Sequence, residues 1–325
     1  MAKLSPKKAA KIAIPILLGF FFVTYSITSA SAAERLQIWQ TIINADPFWV
    51  SISVGLGLLS HWLRALRWKY TLLPLGCKPR VLNSFFAIMF GYLSNLGIPR
   101  SGEILRGASL ATYEDVSFQK SFGTIVSERI IDLVMLLIII GVALLYQSKE
   151  LLDLFTTYQI NPFMSLFILV VLIGLFFLFL KILRISNHPL VIKIRDFFEG
   201  LWEGMQSILH MKYKFPFILY TIFIWGLYIC VFMVVKYSIP ELDDLGFGPL
   251  LVAFIVGTFS MSLTSGGIGI FPISIGVVLQ IYGIEKVSGE AFGWILWSSQ
   301  TAMTVVIGIV SAILLPVYNK NQIFE

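Results

Sequence analysis

The chain has 325 residues, of which 57% are hydrophobic and 13% charged, with a net charge of +6 at pH 7. A soluble domain is about half apolar and about a quarter charged, so this composition excludes a soluble enzyme or nucleic-acid-binding protein and indicates an integral membrane protein. The positive charge has a membrane explanation, because lysine and arginine accumulate on cytoplasmic loops.

Six runs approach the roughly 20 apolar residues that a helix needs to cross a bilayer. They predict full spans near residues 12–30, 47–63, 122–146, 162–180, 215–235 and 291–316. The first run, with its lysine-rich start and small residues at 30–32, also resembles a cleaved signal peptide. It is longer than the usual signal core of about 7 to 15 residues, which favours a retained span.

Two further segments, residues 81–111 and 249–281, each hold two apolar stretches divided by a glycine-rich turn. The turn residues are Gly97, Pro99 and Gly102 in the first segment, and Gly266, Gly267 and Gly269 in the second. Both segments predict broken or re-entrant helical hairpins around a central cavity, since irregular backbone at membrane depth needs protein or water to satisfy it. Tight helix packing is an alternative explanation for the second set of glycines.

The basic residues predict an orientation for these segments. If the N-terminus is cytoplasmic and both broken segments are hairpins, 20 of the 24 lysines and arginines fall on the cytoplasmic side. The first hairpin then enters from the cytoplasm and the second from outside, as in an inverted repeat, and the C-terminus is cytoplasmic. The same charge count also permits two full crossings in place of each hairpin, so that alternative stays open.

Residues 190–213 form the longest predicted cytoplasmic segment. Apolar residues recur there at helical spacing with charged residues between them, which predicts an amphipathic helix on the membrane surface or under the bundle. We interpret it as a connector. The fold prediction is therefore an all-α, polytopic helical membrane bundle that forms one domain over residues 1–325.

Charged residues within membrane spans are costly and tend to mark function. Two sets surround the first hairpin: Arg100, Glu103 and Arg106 beside its turn, and Glu128, Arg129 and Asp132 in the next span. Because the planar guanidinium fork suits phosphate, the arginines predict a site for an anionic lipid headgroup. The carboxylates would orient them or exchange protons, and a purely structural salt-bridge network is the alternative.

Two more arginines, Arg64 and Arg67, lie beside Trp62 and Trp68 at the inner end of the second span. A basic and aromatic cluster at that depth is typical of side chains that snorkel to lipid phosphates. We therefore assign these arginines to anchoring rather than to the headgroup site.

Several catalytic motifs are missing from the chain. It contains no GxxxxGK phosphate loop, no HExxH and no GxSxG, so we expect neither ATP hydrolysis nor another enzymatic activity. Its two cysteines and three histidines are too few and too scattered to predict a metal or another cofactor.

Four motifs, in this order, resemble the flippase-like transmembrane domain of lysylphosphatidylglycerol synthases. They are LRALRW at residues 63–68, GIPRSGEILR at 97–106, SERIIDL at 127–133 and SGGIGIF at 265–271. The resemblance implies a lipid-translocating fold with two hairpins around a lipid cavity, and it places the two charge sets and the second-turn glycines in the motifs of the family. In the second turn this chain has Ser265 and Pro272 where many relatives have a proline and an acid.

Full-length synthases carry an aminoacyl-transferring domain after the membrane part. Because this chain ends at Glu325, soon after its last predicted span, we expect it not to make lysyl-phosphatidylglycerol. The leading hypothesis is a translocase in the bacterial inner membrane for a phospholipid, a glycolipid or a polyprenyl-phosphate. The alternative is a non-transporting membrane subunit that binds lipid and docks a glycosyltransferase or synthase.

Overall fold

A computed structural model describes residues 17, 21, 24–25, 28, 30–98, 100–114, 116–147 and 211–320. Over these residues the secondary structure is helical, and they contain no strand. The predicted spans at 12–30 and 162–180 and the predicted amphipathic helix at 190–213 lie largely or wholly outside them. The chain divides into two compact units, residues 1–125 with 212–325, and residues 126–211.

The α-helices of the described part are numbered in chain order. They are α1 (Ala32–Ile43), α2 (Pro47–Leu72), α3 (Val81–Gly97), α4 (Ser101–Tyr113), α5 (Phe118–Tyr146), α6 (Lys214–Val235), α7 (Phe247–Leu263), α8 (Ile270–Ile281) and α9 (Lys286–Tyr318). Residues 118–125 of α5 belong to the first unit and residues 126–146 to the second. Short 3-10 helices occur at Leu73–Leu75, Lys236–Ser238, Pro240–Leu242 and Ser265–Gly267.

Three helical stretches in the described part of the chain are long and apolar enough to cross a membrane: α5, Lys214–Ser238 and α9. A fourth candidate combines α1 with the stretch Pro47–Leu75, the two being bent by 74°. Asp46 starts α2, because its carboxylate accepts a hydrogen bond from the Phe48 N–H at 2.9 Å, and Pro47 takes the first helical position.

The helix α2 extends to Leu72, well beyond residue 63, the predicted end of this span. The charged residues that lower its hydropathy, Arg64, Arg67 and Lys69, are good helix formers, and no proline follows Pro47 until position 74. Gly76, in the left-handed conformation, then closes the 3-10 turn. The extension places both arginines inside the helix rather than in a loop.

Three long helices of the first unit connect two ends of that unit. At the end we call end A, the Asp46 N–H donates to the Ser238 carbonyl at 3.1 Å, and Gln37 Nε2 donates to Glu285 at 3.4 Å. At end B, the ring of Tyr70 lies 6.1 Å from that of Tyr213. Therefore α2 and α9 begin at end A, whereas α6 begins at end B.

The helices α3 and α4 form an antiparallel hairpin whose base is at end B. Glu114, just after α4, accepts hydrogen bonds from the Arg80 backbone N–H at 3.1 Å and from Asn83 Nδ2 at 2.7 Å. Asn83 also exchanges two amide hydrogen bonds, of 2.9 and 3.0 Å, with Asn319 at the end of α9. With 17 and 13 residues, the two arms are each shorter than the roughly 20 residues of a full span.

The helices α7 and α8 form a second hairpin, with its base at end A. Lys236 Nζ donates to the carbonyl of Leu245, just before α7, at 2.9 Å, and α8 ends at Ile281, close in sequence to Glu285. The arms have 17 and 12 residues. A Cβ atom on Gly257 would lie 2.7 Å from the Phe271 ring, which shows how closely the arms approach.

The helix α9 contacts both hairpins along its length. Near end A, a Cβ atom on Gly293 would lie only 2.5 Å from Pro272 Cα in α8. Farther along, a Cβ atom on Gly308 would lie 3.0 Å from the Met89 carbonyl oxygen in α3. Small residues thus allow α9 to pack against the second hairpin in its first half and the first hairpin in its second half.

The hydrogen bonds at end B lead to a stability prediction for Asn319→Ala. This change removes the reciprocal amide bonds and leaves the buried Asn83 amide less well satisfied, since Asn83 and Asn319 are each 1% exposed. We expect a loss of about 1–3 kcal/mol in unfolding free energy. The midpoint of thermal unfolding in detergent should fall, whereas Gln40→Ala, in the exposed part of α1, should leave it unchanged. Equal midpoints for Asn319→Ala and the wild type would contradict a stabilising role for this network.

Candidate functional site

The turn of the first hairpin is built around an arginine in an unusual conformation. After α3 ends at Gly97, Arg100 has φ of 60° and ψ of 17°, a left-handed conformation in which non-glycine residues are strained. Its side chain is exposed. The turn is fixed on both sides, because Ser101 Oγ donates to the Ile98 carbonyl at 2.7 Å and Asn95 Oδ1 accepts from the Gly102 N–H at 2.7 Å.

The three predicted turn residues of the first hairpin differ in their surroundings. Gly102 packs directly on Gly91 in α3, and a Cβ atom added to it would lie 2.2 Å from the Gly91 carbonyl oxygen. Gly97, the last residue of α3, is exposed, and a Cβ atom added to it would meet nothing within 4 Å. The left-handed residue in this turn is Arg100 instead. Pro99 lies outside the described residues.

The second turn contains all three predicted glycines in left-handed conformations. Gly266, Gly267 and Gly269 have φ values of 70°, 77° and 72°, which only glycine adopts without strain. The indole N–H of Trp297 in α9 donates to the Gly266 carbonyl at 2.8 Å. These residues therefore have a conformational reason to be glycine, and α9 holds the turn in place.

The two turns meet between the two ends of the first unit. A Cβ atom on Gly266 would lie 3.0 Å from Leu96 Cδ2, near the end of α3. The exposed Ser262 comes shortly before the second turn in the chain, and the exposed Ser298 follows Trp297, which contacts that turn. The hairpins thus start at opposite ends of the unit and bring their irregular backbone together.

The predicted charge set on α4 occupies two environments. Arg106 is buried, with 4% of its surface exposed, and its guanidinium carbon lies 3.7 Å from the centroid of the Trp68 ring in α2. Such cation–π stacking contributes about 0.5–2 kcal/mol. Glu103, one helical turn earlier, is half-buried. The structure therefore places Arg106 inside the packed interface of α2 and α4.

The predicted charge set on α5 belongs to the second unit. Glu128 and Asp132 are buried, with 1% and 8% of their surfaces exposed. Arg129 is exposed, and its Nη1 lies 3.9 Å from Asp132 Oδ2. The predicted contact across three residues of one helix is therefore confirmed, at the long limit for an ion pair.

Sequence reasoning assigned Arg64 and Arg67 the wrong environment. They are 3% and 0% exposed, so they do not snorkel to lipid phosphates. Arg64 Nη2 donates to the Tyr228 hydroxyl at 2.9 Å, and Arg67 Nη1 donates to Thr221 Oγ1 at 3.2 Å. The signal that could have identified them is their spacing, because Ser60, Arg64, Arg67, Trp68 and Thr71 recur on one helical face.

Among the described residues, no group of three or more histidine, cysteine, aspartate and glutamate side chains is arranged to hold a metal ion. The chemistry available in the first unit is instead that of buried guanidinium groups. Those of Arg64, Arg67 and Arg106 lie beside aromatic rings or hydroxyl groups.

Comparisons with known proteins identify a family for most of the chain. The family model described as the lysylphosphatidylglycerol synthase transmembrane region matches residues 9–314. The UPF0104 membrane protein MJ1595 of Methanocaldococcus jannaschii is 25% identical over 128 residues, which cover 38% of this chain and 37% of that relative. No solved structure matches. The chain therefore belongs to the family of the lysylphosphatidylglycerol synthase transmembrane region.

Proposed function

We propose that the protein moves a lipid with an anionic or phosphate-bearing headgroup between the leaflets of a bacterial inner membrane. The observation that carries this proposal is the meeting of the two hairpin turns, with Arg100 exposed in the first of them. Broken helices that meet between opposite ends of a membrane unit are typical of transport sites. Their irregular backbone would line the path of the headgroup.

The turns also suggest how the path could open. The proposal treats the hairpins as halves of an inverted repeat, within a bundle of six full spans and with both termini in the cytoplasm. Movement of one hairpin against the other would expose the site to one side at a time. The left-handed glycines of the second turn would accommodate the backbone changes.

The charged residues take different parts in this proposal. Arg100 and Arg106 would contact the headgroup in the first unit, and Arg129 would do so separately in its own unit. The carboxylates Glu103, Glu128 and Asp132 would orient these arginines or exchange protons. The proposal includes no chemical change to the lipid and requires no cofactor.

Reconstitution into phosphatidylcholine vesicles tests the proposal. Each vesicle sample carries a trace of one fluorescent lipid, either phosphatidylglycerol or phosphatidylcholine, labelled on the headgroup side. Dithionite quenches only the label in the outer leaflet. We expect the wild type to expose the inner-leaflet phosphatidylglycerol. Loss of one charge-assisted contact in Arg129→Ala should slow this exposure about tenfold.

Arg35→Ala is the matched control, because it removes an exposed arginine on α1, outside both hairpins. Unchanged rates in a well-folded Arg129→Ala protein would remove Arg129 from the mechanism. If the wild type moved no labelled lipid and instead co-purified with a stoichiometric membrane enzyme, the protein would be a non-transporting subunit that binds lipid and docks that enzyme.

A further inference from the structure

The middle of α2 carries a histidine that packs against α3. His61 lies near the centre of this 26-residue helix, and its ring centroid lies 4.9 Å from that of Tyr92. Within the described part of the chain, its buried Nδ1 atom has no hydrogen-bond partner. Such a nitrogen is uncommon in folded proteins, because it has lost its hydrogen bonds with water and gained none in return. An ionisable residue inside a membrane helix also tends to belong to a functional site.

The helix α9 brings an amide group to the same face of α2. Gln300 Nε2 donates to the Ser53 carbonyl at 3.2 Å, and Gln300 Oε1 occupies the space that a Cβ atom on Gly57 would fill. Ser53, Gly57 and His61 recur every fourth residue, so they share one face of α2. The absence of a side chain at Gly57 therefore lets Gln300 approach α2 one helical turn from His61.

A hydroxyl group on α9 lies close to the level of this histidine. Both α2 and α9 begin at end A, so one turn beyond Gln300 on α9 corresponds to one turn beyond Gly57 on α2. Thr304 is at that position, and its side chain is half-buried. A further turn along α9, a Cβ atom on Gly308 would lie 2.7 Å from Leu93 Cβ in α3. Thr304 therefore lies between the contacts of α9 with α2 and with α3.

Another buried hydroxyl group lies at the second hairpin turn. Thr264 is 6% exposed, and among the described residues its Oγ1 has no hydrogen-bond partner. It comes two residues before Gly266, whose carbonyl accepts the hydrogen bond from Trp297 in α9. Trp297 is only three residues before Gln300. Unsatisfied polar atoms thus occur on two segments, α2 and the second turn, that contact the same polar stretch of α9.

The imidazole, amide and hydroxyl groups at this junction can all bind a hydroxyl ligand. A hydroxyl group both donates and accepts, so one headgroup hydroxyl could satisfy His61 Nδ1 and Gln300 Oε1 together. The apolar C–H groups of a sugar or glycerol could pack on the neighbouring ring of Tyr92. We infer that His61, Gln300 and Thr304 form a binding site for the hydroxyl groups of the lipid headgroup, which is a sugar or another polyol.

This inference rests on the proposed function and deepens it, because it names the chemistry of the headgroup beyond its phosphate. Leu96, which contacts the second turn, is one helical turn from Tyr92, roughly 6 Å along α3. The hydroxyl site is therefore next to the place where the two turns meet. A headgroup whose phosphate is near Arg100 would extend its hydroxyl groups between α2, α3 and α9.

Competitive lipid retention tests the inference without requiring transport. Detergent-purified protein is incubated with equal amounts of phosphatidylglycerol and phosphatidylethanol, which have the same charge and acyl chains but differ in their headgroup hydroxyls. Native mass spectrometry measures the ratio retained by folded protein. We expect the wild type to prefer phosphatidylglycerol about tenfold, and His61→Phe, Thr304→Val to retain nearly equal amounts, because the hydrogen bonds to the headgroup are lost.

Controls separate this role from packing. Ser51→Ala removes an exposed hydroxyl group from α2 and should keep the wild-type ratio. If the double variant does not fold, Thr304→Val alone replaces a hydroxyl with a methyl group of similar shape and should still lower the ratio about threefold. An unchanged ratio in whichever of these variants folds would overturn the inference. Equal retention of both lipids by the wild type would also overturn it and would leave water as the partner of these polar groups.

A glycolipid competitor distinguishes the two sources of hydroxyl groups. Glucosyl-diacylglycerol carries sugar hydroxyls but no phosphate. If it displaces phosphatidylglycerol from the wild type more than from the double variant, the site binds sugars. If phosphatidylglycerol stays bound to the wild type, the site binds a phosphate-linked polyol. Equal displacement from both proteins would overturn the site.

The vesicle assay separates the site from the function. A hydroxyl-dependent ratio without any lipid movement would support this site and reject the translocase function. Lipid movement with equal retention of phosphatidylglycerol and phosphatidylethanol would support the function and reject this site.

Discussion

Gly102→Ala is expected to disrupt the first hairpin and abolish lipid movement. The new Cβ would lie 2.2 Å from the Gly91 carbonyl oxygen and 2.7 Å from Asn95 Nδ2. Since the nearest atom belongs to helix backbone, α3 and α4 must separate, and the hydrogen bond from the Gly102 N–H to Asn95 would be weakened. Overpacking against backbone should cost about 3 kcal/mol or more in unfolding free energy.

Gly97→Ala provides a matched control in the same hairpin. A Cβ atom there meets nothing within 4 Å, and Gly97 has no left-handed φ. We expect its thermal midpoint to stay within error of the wild type or rise, because alanine favours the helix by up to about 1 kcal/mol. The measurement is the unfolding midpoint in detergent, followed by the vesicle assay. Similar midpoints for both alanine variants would show that the close approach at Gly102 is not required.

Arg100→Gly is expected to separate stability from function. The left-handed conformation of Arg100 costs roughly 1–2 kcal/mol, and glycine would adopt it without that cost. Backbone strain at a turn is often retained where the side chain has a function. We therefore expect the unfolding midpoint to stay equal or rise, while the initial rate of phosphatidylglycerol movement in vesicles falls at least about tenfold.

Arg100→Lys is the companion variant. It preserves both the positive charge and the backbone strain, so its rate should lie between those of the wild type and Arg100→Gly. A purely conformational role would give a different pattern, with Arg100→Gly transporting as fast as the wild type. That result would remove Arg100 from the path of the headgroup.

Much of the hairpin arrangement could be predicted from the sequence because its signals are local. The interruption of an apolar run by Gly266, Gly267 and Gly269 predicted a break, and all three have left-handed conformations. The first break was located correctly as well, although its left-handed residue is Arg100 rather than a glycine. The sequence around Arg100 does not predict its positive φ, because steric clashes disfavour positive φ at any non-glycine residue.

The misassignment of Arg64 and Arg67 has a different cause. A hydropathy scale scores each residue by its type alone, so the charges of Arg64 and Arg67 end the predicted span at residue 63. The side chains are buried because α6 brings Tyr228 and Thr221 within hydrogen-bonding distance and α4 places Arg106 on Trp68. Those partners lie far away in sequence, so no window along α2 contains them.

The sequence by itself determined that this is a helical membrane protein, where its helices are broken and to which family it belongs. These properties follow from apolar run length, from glycine placement and from motifs read in order along the chain. Only the tertiary structure decided that the two turns meet and that three arginines are buried on α2 and α4 of one unit. Contacts between distant segments depend on which helix faces pack together. Small residues such as Gly102 and Gly308 allow that close packing, but their neighbours are distant in sequence and are brought together only in the folded protein.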